Sequence, residues 1–181
     1  METHENGCRL LVVDDEPRMC QSLKRLLGDS GYEVETAQSG LEALRCLEAE
    51  AFDLVLLDLM LPQMSGQEVL DHIRSRYPEL PVIMISGIAT IDAAVAALRA
   101  GAYDFIRKPL ESEELLRRVR NALTQECLAR EKAAIDRELE QSERRYRYLV
   151  DSSPDLIYTL DGEGRFTFVN AAFERLLVHS H

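Results

Sequence analysis

Four polar groups in this 181-residue chain each follow a short apolar run. Asp14 and Asp15 follow Leu10-Leu11-Val12-Val13, Asp58 follows Leu54-Val55-Leu56-Leu57, and Ser86 follows Val82-Ile83-Met84-Ile85. Lys108 follows Phe105-Ile106-Arg107 and precedes Pro109. Such runs read as buried strands of a parallel sheet, and in open α/β sheets the carboxyl ends of the strands converge on one crevice. Three carboxylates, a hydroxyl and an ammonium from distant parts of the chain then share a pocket, which is the set of groups that metal-assisted phosphoryl chemistry needs. Crowded carboxylates repel by about 4 kcal/mol per pair at roughly 4 Å and an effective dielectric near 20, and a small hard dication relieves the strain. Mg²⁺ prefers octahedral oxygen and keeps several waters, which suits Asp15 and Asp58 as direct ligands and Asp14 through water. Asp58, at the centre, is the expected nucleophile; Lys108 neutralises developing charge and the Ser86 hydroxyl donates to a phosphoryl oxygen.

Singly, each residue has a plainer role. Asp14, Asp15 or Glu16 could cap the following helix, Asp58 could form a turn, Ser86 could be structural and Lys108 a solvated charge. Only their joint placement at strand ends argues for a site.

The elements that must position these groups alternate between strand and helix. Arg9 to Val13 reads as the first strand, and Pro17 opens a helix with Met19, Leu23, Leu26 and Leu27 at helical spacing, stopped by Gly28 and Gly31. Glu33 to Ala37 is a strand, followed by a helix from Gly40 whose buried stripe is Leu41, Leu44 and Leu47. Phe52 to Leu57 reads as a central strand, and Pro62 and Gly66 mark a loop needing unusual dihedrals. A helix from Gln67 to Tyr77 and a strand from Val82 to Ile85 come next. A small-residue helix with Ile91, Ala94, Val95 and Leu98 is capped by Gly101, and Tyr103 to Arg107 is the fifth strand. Right-handed crossovers with a change of winding beside strand one give a doubly wound α/β fold: a five-stranded parallel sheet with helices on both faces.

Composition narrows the function. Lys+Arg 21 against Asp+Glu 32 gives a net charge of -11, which repels a phosphate backbone, so direct nucleic-acid binding is not expected. The polar start and the lack of a membrane-length apolar run point to a cytoplasmic protein with no membrane contact. Cys8, Cys20, Cys46 and Cys127 show no C-x-x-C spacing and read as reduced thiols rather than zinc ligands.

Val12-Val13-Asp14-Asp15-Glu16, Asp53 to Pro62, Gly66, Ile85-Ser86-Gly87 and Phe105-Ile106-Arg107-Lys108-Pro109 resemble the signature segments of two-component response-regulator receiver domains. The resemblance covers Cys8 to Leu123, and Gly101-Ala102-Tyr103-Asp104-Phe105 resembles the nitrogen-regulation-type version. It implies the flavodoxin-like strand order 2-1-3-4-5 also found in chemotaxis receivers. It also implies a phosphoacceptor aspartate at Asp58, the Met60 backbone carbonyl as a further metal ligand, and a cis peptide before Pro109. Ser86 and Phe105 are then the switch pair, Phe105 turning inward when Ser86 engages the phosphoryl group. The implied partner is a sensor histidine kinase or phosphotransfer protein. Met60 and Ile88, bulky and apolar two residues beyond Asp58 and Ser86, are expected to slow hydrolysis of the acyl phosphate.

Beyond Leu123 the character changes. Gln125 to Arg147 has neither Gly nor Pro and carries Leu128, Ile135, Leu139, Tyr146 and Leu149 at near-heptad spacing, so a long helix is expected. The seam favours a parallel coiled-coil homodimer over a single solvated linker, although Lys132 and Ser142 interrupt it. Tyr146 to Tyr158, Asp161 to Phe166 and Val169 to Glu174 resemble the opening of a PAS domain: a helix, a hairpin through Asp161-Gly162 and a helix capped by Asn170. A closed PAS pocket needs more strands, so residues 144–181 read as a partial α+β fragment with no assigned ligand. The expected organisation is therefore a receiver over 8–124, a helical linker over 125–143 and the incomplete PAS start over 144–181.

Other classes fit poorly. An aspartate-nucleophile phosphatase wants a second Asp where Met60 stands, and a dinucleotide-binding enzyme wants G-x-G-x-x-G where the chain has Asp14-Asp15-Glu16-Pro17. A sensor kinase wants a helical phosphodonor histidine and an ATP-binding domain. The remaining alternative is a receiver-like interaction or dimerisation module that is never phosphorylated. The favoured expectation is a phosphorylation-controlled signalling module, turning over only through self-phosphorylation and hydrolysis.

Overall fold

The computed structural model describes residues 7–87 and 90–178. Its elements are β1 (Arg9–Val13), α1 (Pro17–Asp29), β2 (Glu33–Ala37), α2 (Gly40–Ala49), β3 (Leu54–Asp58), α3 (Gly66–Arg76), β4 (Val82–Ser86), α4 (Ile91–Arg99), β5 (Asp104–Arg107), α5 (Ser112–Ser152), β6 (Tyr158–Leu160), β7 (Phe166–Val169) and α6 (Ala171–Val178). The chain divides into two compact units, Met1–Leu128 and Ala129–His181.

In the first unit five parallel strands lie in the order β2-β1-β3-β4-β5, as the sequence implied. Every residue of β3 and β4 is buried, which explains why these strands carry continuous apolar runs rather than an alternating pattern up to their last residues, Asp58 and Ser86. Successive side chains point to opposite faces, so the sheet separates two cores. Leu11, Val55, Leu57 and Met84 pack on one side with Val69, Leu70 and Ile73 of α3. Leu10, Leu54, Leu56 and Ile83 pack on the other with Leu23 and Leu27 of α1 and Leu115 and Val119 of α5.

Several sequence expectations need correction. Helix α1 runs through Gly28 to Asp29, and it is Gly31, at φ 94°, that turns the chain toward β2. The buried stripe of α2 is Gly40, Ala43 and Leu47, whereas Leu41 is exposed; α3 approaches so closely that a Cβ at position 40 would crowd Val69. Helix α4 buries only Ala97, leaving Ile91 84% exposed and Val95 and Leu98 also open to solvent. Gly66 adopts no positive φ; the left-handed residue of that loop is Gln63, at φ 66°. What position 66 requires is space, since a Cβ there would lie 2.1 Å from the carbonyl oxygen of Asp58.

In the second unit β6 and β7 form the antiparallel hairpin. Asn170, wholly buried, accepts from the Phe173 N–H and caps α6 as expected. It also donates to the carbonyls of Val150 and Asp155 and accepts from the Ile157 N–H, so one amide fastens the end of α5 to the hairpin. Among the described residues no helix is long and apolar enough to cross a membrane.

Two glycines test this packing. Gly66→Ala should destabilise by about 1–3 kcal/mol through overpacking against backbone that cannot yield. Gly28→Ala, in a helix with nothing within 4 Å of the new methyl, should stabilise by roughly 0.5–1 kcal/mol. Urea midpoints of the two variants should move in opposite directions.

Candidate functional site

Parallel pairing of β1, β3, β4 and β5 sets their carboxyl ends along one edge of the sheet. Asp14 follows β1, Asp58 ends β3, Ser86 ends β4 and Lys108 follows β5. The Lys108 Nζ reaches across to donate to Asp14 Oδ2 at 2.7 Å and to Asp58 Oδ2 at 2.5 Å. Carboxylate oxygens of Asp14, Asp15 and Asp58 lie within 4.8 Å of one another, with Asp14 and Asp58 buried and Asp15 facing solvent. Residues 94 positions apart in sequence thus share one hydrogen bond.

Local bonds fix each acid. Asp14 Oδ1 accepts from the Glu16 N–H at 2.9 Å, and the Cys20 thiol donates to the Asp14 carbonyl at 3.2 Å from beneath. The residue at the start of α1 is Glu16, and it makes no side-chain capping bond, so the capping role open to this acidic run is not taken. Asp58 Oδ1 accepts from the Met60 N–H at 2.9 Å. The donor set offered by the three acids is entirely oxygen, which fits a hard dication such as Mg²⁺ and not a thiophilic metal.

Burial pushes the Asp58 carboxyl above its ordinary range, against the opposing pull of the Lys108 and Met60 hydrogen bonds. For Lys108, burial works to lower the ammonium, but hydrogen bonds to Asp14 and Asp58 and their charge outweigh it, and the net shift is upward. The two shifts differ in origin: desolvation governs the acid, pairing governs the base.

Ser86 is wholly buried, and its carbonyl accepts from the Lys108 N–H at 2.8 Å, tying the end of β4 to the lysine's backbone. Phe105 pairs with Met84 across the β4–β5 ladder and packs partly against the core on the α3 side. Beside it lies a cavity of about 290 Å³ lined by Thr90, Ile91, Ala94, Glu114 and Arg118. Met60 is largely exposed, while Ile88 lies outside the described residues. The Lys108–Pro109 peptide is cis. Burial and neighbouring carboxylates push the Cys46 thiol up to about 11, and burial likewise raises Cys20, as befits thiols that serve packing.

Three residues around the site escaped the sequence reading. From the sequence Cys20 reads only as a reduced thiol, with no signal that it supports Asp14. Asp104 accepts the Phe105 N–H and an Arg118 guanidinium hydrogen bond at 2.5 Å, joining β5 to α5 beside the aromatic ring. No periodicity marks that pair, since it joins a strand to a helix.

The sequence matches the family described as response regulator receiver domain over residues 10–120, and that described as PAS domain over 144–179. It is 43% identical over 115 residues to response regulator MprA of Mycolicibacterium vanbaalenii, covering 64% of this chain and 50% of that one. The chain spans about half the length of the curated relatives it matches. A CheY-like receiver domain protein from Methanospirillum hungatei superposes with a TM-score of 0.64 at 37% identity, covering 66% of this chain and 95% of that one. NtrX from Brucella abortus gives a TM-score of 0.68 at 40% identity, covering 71% and 29% respectively.

Two substitutions test the electrostatics. Lys108→Met leaves two buried carboxylates without their cation and should cost about 3–5 kcal/mol at neutral pH, recovered in part on adding Mg²⁺. Asp58 has a folded pKa above its unfolded value, so its contribution is fully present below the ordinary aspartate range and is lost as pH rises through the raised folded value. Asp58→Asn should therefore be more stable than the parent at pH 7 without metal, with the gap closing as pH falls toward 4. Denaturant titrations across pH check both signs.

Proposed function

The chain belongs to the response regulator receiver domain family, and on that premise we propose that it is the phosphoacceptor module of a two-component phosphorelay, with Asp58 taking the phosphoryl group. The observation that carries this reading is the shared Lys108 bridge between Asp14 and Asp58, with Asp15 alongside. The donor is a phosphohistidine of a sensor kinase or phosphotransfer protein, or a small acyl phosphate. A carboxylate oxygen of Asp58 attacks phosphorus, the bond to the donor breaks, and the donor keeps that electron pair. Asp15, Asp58, the Met60 carbonyl and Asp14 would hold Mg²⁺, which would supply charge neutralisation for the transferring group.

The remaining work falls to the chain. Lys108 moves from a partner of the free carboxylate to a partner of the phosphoryl oxygens, and the Ser86 hydroxyl donates to the same group. That draws the end of β4 toward Asp58 and lets Phe105 move into the space beside it. Phosphorylation must favour the active arrangement by about 5.5 kcal/mol to shift a population from 1:99 to 99:1, which a dianion against an ammonium, a hydroxyl and a dication can supply. Phenylalanine at 105 keeps the packing change but offers no hydroxyl to a partner. The exposed apolar side of α4 and β5 is the surface altered. Helix α5 carries the change beyond residue 124 into a linker over 125–143 that pairs with a second copy, and on to the PAS start over 144–181. We place this module in the cytoplasm without membrane contact, and its net charge of -11 supports the absence of direct nucleic-acid binding.

Treatment with acetyl phosphate and Mg²⁺ should add one phosphoryl group to the intact mass; Asp58→Asn and chelated samples should gain none. Unchanged mass in the parent protein contradicts the assignment. Met60→Asn, which opens the flank of the acyl phosphate to a water, should shorten its lifetime several-fold at constant pH, and an unaltered decay rate rejects that role for Met60.

A further inference from the structure

From the charges that flank the α5 seam we infer that two copies of this chain pair through that helix in antiparallel orientation, which rests on the proposed self-association of the linker and reverses the parallel arrangement that seam spacing alone suggests. Helix α5 runs unbroken to Ser152. Leu128, Ile135, Leu139, Tyr146 and Leu149 recur along one side of it, and all five are more than half exposed. Lys132 and Ser142 complete the same stripe at alternating spacings of four and three, a two-helix seam. Glu131 and Glu138 precede seam residues on one flank, and Asp136 and Glu143 follow seam residues on the other; Arg145 is the only cation at a flanking position between 129 and 150.

A parallel in-register pair sets every seam residue against itself. Lys132 would then face Lys132 of the second copy within the seam. On the rims Glu131 would face Asp136 and Glu138 would face Glu143, each twice by symmetry, which makes four like-charge contacts and no attractive one. Arg145 would meet position 150, a valine, and neutralise nothing.

Reversing one helix about a dyad near residues 137 and 138 changes every layer. Lys132 now faces Ser142, Leu139 faces Ile135 and Tyr146 faces Leu128, so polar meets polar and apolar meets apolar; only Leu149, opposite Gln125, meets an amide. On the rims Glu131 faces Arg145 twice, attractively, and only the self-contacts of Asp136 and Glu138 at the dyad remain repulsive. The buried-side cation is thus moved away from its own image, and the single flanking arginine acquires a partner. Arg144 stays on the outer face, ion-paired to Glu140 at 3.4 Å.

The orientation can be read by disulfide trapping in the full chain carrying Cys127→Ser, which removes the exposed native thiol. Lys132→Cys and Ser142→Cys proteins, one of them tagged, are mixed and oxidised. In the antiparallel pair the two new thiols face each other; in the parallel pair they are ten residues, about 15 Å, apart along the axis. A mixed disulfide forming at least tenfold faster than the Ser142→Cys self-disulfide supports the inference. A dominant Ser142→Cys self-disulfide retains self-association but overturns the orientation. A monomer at every concentration in sedimentation of the parent chain overturns both. As a check free of thiols, Arg145→Glu should weaken the dimer, and Glu131→Arg in the same chain should restore it; an unaffected dimer in the single variant also overturns the antiparallel assignment.

Discussion

One ammonium shared by two carboxylates holds the chemistry of this fold together. Lys108 is delivered by the end of β5, Asp14 by the end of β1 and Asp58 by the end of β3, and they meet only because the sheet is parallel and its winding reverses at β1. Without a cation between them the two buried acids would repel in a region where water screens poorly. With Lys108 in place the site is neutralised enough to fold yet keeps carboxylate oxygens available. The upward shift at Asp58 records that incomplete compensation: burial still disfavours the charge despite the lysine. On the proposed reading, a site held in this balance would respond strongly to added charge, whether a dication or a phosphoryl group.

The proposed switch relies on the surroundings to turn a local charge change into a change of surface. β4 and β5 are neighbours in register, Ser86 ends one and Phe105 lies in the other, and the backbone N–H of Lys108 is bound to the carbonyl of Ser86. On the proposed reading, these ties would couple movement at Asp58 to the strand that carries the aromatic ring. The cavity beside Phe105 would give the ring room to move in the proposed switch, and α4 beyond it is loosely held, with only Ala97 buried. Firm centre and loosely packed edge follow from the same hydrophobic pattern: β3 and β4 are wholly buried and apolar up to Asp58 and Ser86, whereas α4 is a short helix with a single buried residue.

Much of this was legible in the residues. Apolar runs ending in Asp, Ser or Lys gave the strands, their carboxyl ends and the meeting of Asp14, Asp15, Asp58 and Lys108, because burial on both sheet faces leaves an unmistakable pattern. Helix faces were read less well. Leu41 and Ile91 suggest burial by type, yet tertiary packing buries Ala43 and Leu47 on α2 and Ala97 on α4, with α3 so close to the start of α2 that position 40 admits no Cβ. Gly66 is legible as a constrained position, but the constraint is space rather than a positive φ: the carbonyl of Asp58 excludes a Cβ. The Cys20 thiol under Asp14, the Asp104–Arg118 tie and the Asn170 hub are contacts between distant segments, and no local period announces them. Spacing alone also favoured a parallel linker pair; the flank charges, which spacing ignores, favour the reverse.

The central claim is that charge placed on Asp58 is transmitted to β4, β5 and the face of α4. Backbone hydrogen exchange, compared between the free protein and the protein held phosphorylated with acetyl phosphate and Mg²⁺, tests this most directly. Altered protection should concentrate in Val82–Ser86, Ile91–Arg99 and Asp104–Arg107, leave α1 and β2 unchanged, and vanish in Asp58→Asn. Equal changes in that variant, or changes confined to segments away from β4 and β5, would contradict the account.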